Sequence, residues 1–189
     1  MNEEIFKNWL KKPTDCLIMG IVNTTPDSFS DGGKFNTPIK AIDFAYDLLD
    51  QGADIIDIGG ESSRPGAVPV PPAEEIKRIA PLLNELVKNT DCLISVDTYK
   101  SSTAAYALDN GAHLINDISG LSYDNDMVNV ISSHNAPVII MHMKGTPKNM
   151  QQNPTYDNVV ADICNFLSNQ ANFAIREGVS KKNIIIDPG

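Results

Sequence analysis

The stretch that decides the fold is GADIIDIGG at residues 52–60, and a shorter version of it, GAHLIN, recurs at residues 111–116. In both copies a glycine that can end a helix leads directly into an apolar run containing β-branched residues. Outward from these copies the same alternation continues, with short apolar runs separated by longer amphipathic stretches. That alternation is typical of βα units around a parallel sheet.

Six apolar runs are predicted to be strands, at residues 17–22, 55–58, 93–96, 114–115, 138–141 and 184–186. None alternates with polar residues, so each is expected to be covered on both faces. Five helices are predicted, at residues 37–52, from about 72, from about 101, at 127–133 and at 157–177. The chain is therefore expected to be one α/β domain over residues 1–189.

Composition excludes several functional classes. The 189 residues carry 15 Lys and Arg against 24 Asp and Glu, a net charge of −9, which disfavours nucleic-acid and membrane partners. No apolar run approaches the roughly 18 residues of a membrane span. Because the three cysteines are widely spaced and form no C-x-x-C pair, a reducing compartment is expected. These features predict a cytoplasmic protein.

Polar residues follow the predicted strands and are the first candidates for a functional site. Ligands of parallel sheets bind outside the carboxyl ends of the strands, so these side chains are expected to ring one pocket. His142 is expected to be structural rather than catalytic, and Asp57 to face the interior if Ile56 and Ile58 face outward. The residues at the strand ends are Asn23, Glu61, Asp97, Asn116, His142 and Asp187.

Three of these residues, Asp97, Asn116 and Asp187, are short acceptors at the mouth of an apolar sheet. An ionised carboxylate there is costly unless donors satisfy it. A flat heterocycle with an amino-pyrimidine edge presents adjacent N–H donors that a carboxylate accepts in bidentate fashion. Internal pairing with Lys or Arg from neighbouring strands is the alternative.

Two connections carry many special residues, NTTPDSFSDGG at 23–33 and GGESSRPGA at 59–67. Their paired glycines fit loops that open and close over a ligand, although simple turns also use them. Lys34 and Arg64 add positive charge suited to an anionic substrate. Neither connection matches a P-loop or a dinucleotide-binding fingerprint.

The first of these connections, together with the segment DIGGESSRPG at 57–66, resembles the two signature segments of the dihydropteroate synthase family. The resemblance continues through SVDT at 95–98, IND at 115–117, MHMKG at 141–145 and DPG at 187–189. It implies a TIM (β/α)8 barrel, with six of its eight βα units in this sequence. It also implies a transferase of folate biosynthesis, which joins 6-hydroxymethyl-7,8-dihydropterin diphosphate to p-aminobenzoate and releases pyrophosphate. Sulfonamides mimic the second substrate.

Residues at matching positions take the roles that the resemblance implies. Asn23 is expected to bind the Mg²⁺ of the diphosphate, and Met141 to line the slot for the pterin ring. Asp97, Asn116 and Asp187 are expected to hold the edge of that ring.

The second substrate has its own expected residues. The resemblance implies that p-aminobenzoate is bound by Phe29, Ser63, Arg64 and Pro65. Nearby carboxylates can stabilise the electron-poor methylene group that diphosphate departure leaves, while Mg²⁺ neutralises the leaving group. The expected catalytic residues are Asp97, Asp187 and Arg64.

The sequence departs from the family at its carboxyl end. Six strands do not close an eight-stranded barrel, so the sequence is expected to be a carboxy-terminally incomplete portion of a longer protein, with a true short product as the alternative. A homodimer is expected.

The alternative functions are a pterin-binding methyltransferase domain and a non-catalytic pterin-binding fragment.

Overall fold

The computed structural model describes residues 3–13, 16–25, 37–62, 68–145 and 154–189. Within them six strands form one parallel sheet, in which each strand lies beside its neighbours in the sequence. The strands are β1 (Met19–Asn23), β2 (Ile55–Gly59), β3 (Leu93–Asp97), β4 (Leu114–Asp117), β5 (Val138–Met141) and β6 (Ile184–Asp187).

Helices alternate with these strands along the chain. The prediction of six consecutive βα units of a TIM barrel is confirmed, and all strand limits agree with the predicted ones to within two residues. The helices are α1 (Glu3–Lys11), α2 (Thr37–Asp50), α3 (Pro72–Asn89), α4 (Ser101–Asp109), α5 (Met127–His134) and α6 (Val159–Arg176), with a short 3₁₀ helix at Lys181–Asn183.

Successive side chains of a strand point to opposite faces of the sheet, so the two faces make different contacts. The outer face packs against the helices through buried residues such as Ile56, Ile58 and Val96. The opposite, inner face is apolar at the start of the strands and polar at their ends. Among the described residues, β1 and β6 each pair on one side only, so the sheet is open between them.

Helix α1 covers the amino-terminal end of the sheet, and no helix is predicted there from the sequence. Phe6 is 1% exposed and packs with Ile55, Leu93 and Leu114, the first residues of three strands. Trp9 packs against the same cluster and stacks on Phe6. The spacing of these two aromatic residues places them on one face of a helix, which is the sequence signal for α1.

Replacing Phe6 by Ala is expected to lower the free energy of unfolding by about 3–5 kcal/mol, because the substitution leaves a cavity beneath the strands. Urea denaturation followed by circular dichroism measures the change. Phe44→Ala is the matched control, since the Phe44 side chain is 40% exposed and less contact is lost. An equal loss in both variants contradicts the role assigned to α1.

Candidate active site

Strand register brings the predicted polar residues together. Asn23 lies opposite Gly59, Gly59 opposite Asp97, and Asp97 opposite Asn116, so all four occupy one row across β1–β4. Asp187 lies opposite Met141 at the ends of β5 and β6. Since alternate residues share a face, the predicted residues of all these strands lie on the inner face at its carboxyl end.

Gly59 leaves space between two of these side chains, those of Asn23 and Asp97. A Cβ atom at this position would lie 3.0 Å from Asn23 Oδ1 and 3.7 Å from Asp97 Oδ2. A side chain at residue 59 would therefore fill the space between the two oxygen atoms. Glycine leaves that space open to a ligand.

A second polar row lies beneath the first, closer to the barrel interior. Asp57 lies opposite Ser95, is 2% exposed and accepts a hydrogen bond of 3.0 Å at Oδ2 from Asn116 Nδ2. Within the described part of the chain, Asp57 Oδ1, Ser95 Oγ and Asn116 Oδ1 are buried and have no hydrogen-bond partner. Unpartnered buried polar atoms are costly, so this group is suited to bind polar groups of a ligand.

The carboxyl groups of the inner face have perturbed acidities. Burial raises the pKa of Asp57, and the adjacent Ser95 hydroxyl and Asn116 amide offset part of that rise. Burial also raises the pKa of Asp97 well above its ordinary value, and the negative charges of Asp57 and Glu75 add to the effect. Over the described ranges, no Lys or Arg forms a salt bridge with Asp57, Asp97 or Asp187. Among the described residues, the alternative of pairing with Lys or Arg is therefore not observed.

Two residues at the strand ends do not join this group. The ring of His142 packs edge-on against Phe166, with 5.2 Å between ring centroids, and also contacts Tyr156. His142 thus has the structural surroundings expected for it. Glu61 lines a small cavity together with Asp97, and its carboxylate accepts hydrogen bonds from Tyr99 and Lys100. The expectation that all six residues ring one pocket stays a prediction: Glu61 shares a cavity with Asp97, and His142 packs among aromatic rings.

A buried charged group surrounds Lys100, and we call it the Lys100 cluster: Glu61, Glu75, Tyr99, Lys100 and Thr103. Lys100 Nζ lies 2.7 Å from Glu61 Oε2 and 2.8 Å from Glu75 Oε2. The Tyr99 hydroxyl donates to Glu61 Oε1, and Thr103 Oγ1 donates to Glu75 Oε2 at 3.0 Å. No more than 10% of the Lys100, Glu61 or Glu75 side chain is exposed.

The acidities in the Lys100 cluster follow from these contacts. Burial acts to raise the pKa of Glu61, but hydrogen bonds from Lys100, Tyr99 and the Val70 N–H outweigh it and leave the pKa below its ordinary value. Burial acts to lower the pKa of Lys100, and its bonds to Glu61 and Glu75 leave it raised. Glu61 and Lys100 are therefore both charged near neutral pH.

The remaining predicted site residues, Phe29, Ser63, Arg64 and Pro65, lie outside the described residues. Sequence reasoning missed Ser95 and the Lys100 cluster. Strand alternation could have identified Ser95, which stands two residues before Asp97. Nothing in the sequence pairs Lys100 with Glu61, because 39 residues separate them.

Lys100→Met is expected to lower the free energy of unfolding by about 3 kcal/mol at pH 7, since two buried carboxylates lose their cation. The loss should shrink below pH ~4.3. Below that pH the unfolded chain binds a proton at Glu61, whereas the folded wild-type protein, in which the pKa of Glu61 is depressed, binds it only at still lower pH. The stability that the pairing with Lys100 contributes is therefore progressively lost as the pH falls. Denaturation at pH 7 and pH 4 tests this. Exposed Lys88→Met is the control, and a loss independent of pH contradicts the prediction.

Two further properties of the described residues bear on the type of site. They contain no group of three or more His, Cys, Asp and Glu residues placed to hold a metal ion. None of their helices combines the length and the apolar character needed to cross a membrane.

Comparison with known proteins shows the family to which the chain is similar. The family model described as "Pterin binding enzyme" matches residues 19–189. The dihydropteroate synthase of Streptococcus pyogenes serotype M3 is 46% identical over 175 residues, which are 93% of this chain and 63% of that protein. The Synechocystis dihydropteroate synthase is 44% identical over 172 residues, 91% of this chain and 60% of that protein. This chain thus spans about three-fifths of these relatives.

Solved structures give the same result. The Clostridium difficile dihydropteroate synthase, crystallised in the presence of pteroic acid, has a TM-score of 0.83 and 45% identity, with 92% of this chain and 64% of that chain covered. The Yersinia pestis enzyme in a sulfonamide drug complex has a TM-score of 0.85 and 42% identity, with coverage of 95% and 64%. The family resemblance predicted from the sequence is confirmed: the chain belongs to the family of pterin binding enzymes.

Proposed function

We propose that the protein condenses 6-hydroxymethyl-7,8-dihydropterin diphosphate with p-aminobenzoate to give dihydropteroate and pyrophosphate, the transferase reaction of folate biosynthesis. The observation that carries this proposal is the set of buried polar atoms that have no hydrogen-bond partner within the described residues, beside the Asp97 carboxyl group on the inner face. These atoms are Asp57 Oδ1, Ser95 Oγ and Asn116 Oδ1. Membership of the pterin binding family supports it.

The pterin ring matches the chemistry of this group. Its amino-pyrimidine edge offers adjacent N–H donors, which the carboxylates of Asp97 and Asp187 can accept, while an amide such as Asn116 can both donate and accept. Met141, opposite Asp187 on the inner face, is suited to line the slot for the flat ring. Buried acceptors that cost free energy in the empty site become favourable contacts when the ring binds.

The reaction requires charge stabilisation more than a covalent nucleophile. When the bond between the pterin methylene carbon and the diphosphate oxygen breaks, the methylene group becomes electron-poor and its positive charge spreads over the conjugated ring. The carboxylates of Asp97 and Asp187 at the ring edge can stabilise that charge. The amine of p-aminobenzoate then forms the new C–N bond and releases one proton to solvent. Arg64, with Phe29, Ser63 and Pro65, is proposed to bind the second substrate.

The donor set beside Gly59 fits a magnesium ion. Mg²⁺ prefers oxygen ligands and is commonly held by one or two protein oxygens together with substrate phosphates. Asn23 Oδ1 faces the open space over Gly59, so Asn23 would hold the ion against the diphosphate. When bound there, Mg²⁺ neutralises the charge of the leaving diphosphate.

The cytoplasmic location and the homodimer stay predictions.

Pyrophosphate release tests the proposed function. The full-length protein that carries this sequence is incubated with the pterin diphosphate, p-aminobenzoate and Mg²⁺, and pyrophosphate and dihydropteroate are quantified. Release of both products that depends on both substrates is expected. Absence of turnover, or corrinoid-dependent demethylation of methyltetrahydrofolate instead, contradicts the proposal.

Asp97→Asn is expected to weaken binding of the pterin diphosphate by about 1–3 kcal/mol, because a neutral amide loses charge-assisted hydrogen bonds to the ring edge. Isothermal titration calorimetry without p-aminobenzoate measures the affinity. Asp109→Asn is the matched control, since Asp109 ends α4 and its exposed carboxylate contacts His134. Unchanged affinity in Asp97→Asn removes the assigned role.

Asn23→Leu is expected to weaken Mg²⁺ binding to the protein loaded with pyrophosphate by about tenfold, or ~1.4 kcal/mol, through loss of one oxygen ligand. Titration calorimetry with Mg²⁺ measures it without turnover. Asn23→Asp keeps a ligand oxygen and should retain the affinity. Equal Mg²⁺ affinity in Asn23→Leu and the wild type contradicts the assignment of Asn23.

A further inference from the structure

The connection that follows β4 is a tight turn built around one buried carboxyl group. Asp117 ends β4 and is 1% exposed. Its Oδ1 atom accepts hydrogen bonds from the Ser119 N–H at 2.8 Å and the Ser119 hydroxyl at 2.7 Å, and its Oδ2 atom accepts one from the Leu121 N–H at 3.0 Å. The Gly120 N–H donates to the Asp117 carbonyl at 3.0 Å. Four hydrogen bonds to one residue thus fix this connection, and we call residues 117–121 the Asp117 turn.

The backbone of the Asp117 turn needs this support. Gly120 and Leu121 have positive φ angles of 61° and 63°. Glycine adopts this region readily, but a leucine there is strained and keeps the conformation only when its surroundings hold it. The Leu121 N–H is held by the carboxyl group of Asp117, and the Leu121 side chain is buried in the core between the sheet and the helices. Without that carboxyl group the turn is expected to take another backbone path.

The turn also packs directly against the next βα unit. A Cβ atom at Gly120 would lie 2.6 Å from the Met141 carbonyl oxygen and 2.9 Å from Phe166 Cε1, so glycine lets the turn lie on the end of β5 and on α6. Gln170 of α6 donates through Nε2 to the Gly120 carbonyl. Because the fit is this close, a different backbone path would displace the turn from the end of β5.

The turn borders the candidate active site through the residues on either side of Asp117. Asn116 precedes it and carries one of the buried oxygen atoms without a hydrogen-bond partner among the described residues. Ile118 follows it and lines the small cavity that Asp97 also lines. An apolar side chain beside a buried carboxyl group is suited to pack on a flat ring whose N–H groups that carboxyl group accepts. The bonds between Asp117 and Ser119 span Ile118 and so fix the backbone that carries it.

The Asp117 side chain does not itself take part in the group of unpaired polar atoms. Alternation along β4 places it on the face opposite to that of Asn116, and its two carboxyl oxygens accept hydrogen bonds within their own turn. An influence of Asp117 on a ligand must therefore pass through its neighbours in the turn.

We propose that Asp117 is a positioning residue for the pterin: by holding the Asp117 turn in its left-handed path, it keeps Ile118 beside Asp97 and so sets the affinity for the ring. The proposal rests on the pterin binding that the proposed function requires.

The experiment compares Asp117→Asn with Asn183→Ala in the full-length protein. Asparagine keeps the shape of Asp117, but its NH₂ group replaces one of the two acceptor atoms, so part of the hydrogen bonding within the turn is lost. Asn183 is the matched control because it is also buried and also supports a left-handed residue. Its Nδ2 atom donates at 2.8 Å to the carbonyl of Asn135, which has a φ of 48° and lies before β5, at the amino-terminal end of the sheet.

Three quantities are measured: the free energy of unfolding in urea, hydrogen exchange of the Leu121 amide relative to the Val96 amide of β3, and calorimetric affinity for the pterin diphosphate. Both variants should be less stable than the wild type. Asp117→Asn should also speed the relative exchange of Leu121 and weaken pterin binding about tenfold. Asn183→Ala should leave the exchange ratio and the affinity unchanged, because a purely structural residue lowers stability alone.

The outcomes separate the two proposals. Wild-type pterin affinity in Asp117→Asn, or an equal loss of affinity in both variants, overturns the role of Asp117, while turnover by the wild-type protein upholds the function. A wild-type protein that binds the pterin diphosphate without turnover overturns the function, and the affinities of the variants still decide the role of Asp117. A wild-type protein that does not bind it overturns both. If Asp117→Asn does not fold, Ser119→Ala, which removes one donor to Asp117, decides by the same criteria with smaller shifts.

Discussion

The parallel hydrogen bonding of six strands in register is the constraint on which the rest of the molecule depends. Because side chains alternate between faces, this register fixes which residues meet in each row of the inner face. Asn23, Gly59, Asp97 and Asn116 come from four strands and more than 90 residues of chain, yet they share one row. A slip of one residue would turn each side chain toward the helices.

The two ends of the inner face differ in polarity. At the amino-terminal end, Phe6 of α1 seals an apolar layer that includes Ile55 and Leu93. Toward the carboxyl end, Asp57 and Ser95 replace apolar residues on the same face. The apolar end holds the strands together, so the polar end can contain groups that reduce stability. Binding sites commonly have this division, since unpaired polar groups are costly until a ligand pairs with them.

The buried carboxyl groups at the polar end are of two kinds, those paired with a cation and those without one. In the Lys100 cluster each carboxylate has a cation and further donors, so the charges are satisfied internally and hold backbone segments together. Asp57 and Asp97 have no salt bridge to a Lys or Arg in the described part of the chain, and burial raises the pKa of both. The paired charges of the Lys100 cluster are suited to holding backbone segments in place. The carboxyl groups of Asp57 and Asp97 are suited to binding a ligand that carries N–H groups.

The sequence by itself determined the six βα units, because apolar runs, helix-ending glycines and the polar residues after each run are local signals, such as those in residues 52–60. It also indicated that Asp97, Asn116 and Asp187 belong to one end of the sheet. Only the tertiary structure decided that α1 closes the opposite end, that His142 packs among aromatic rings, and that Lys100 binds Glu61. Those features depend on contacts between distant segments, and no periodicity of a single segment encodes which distant side chain it will meet.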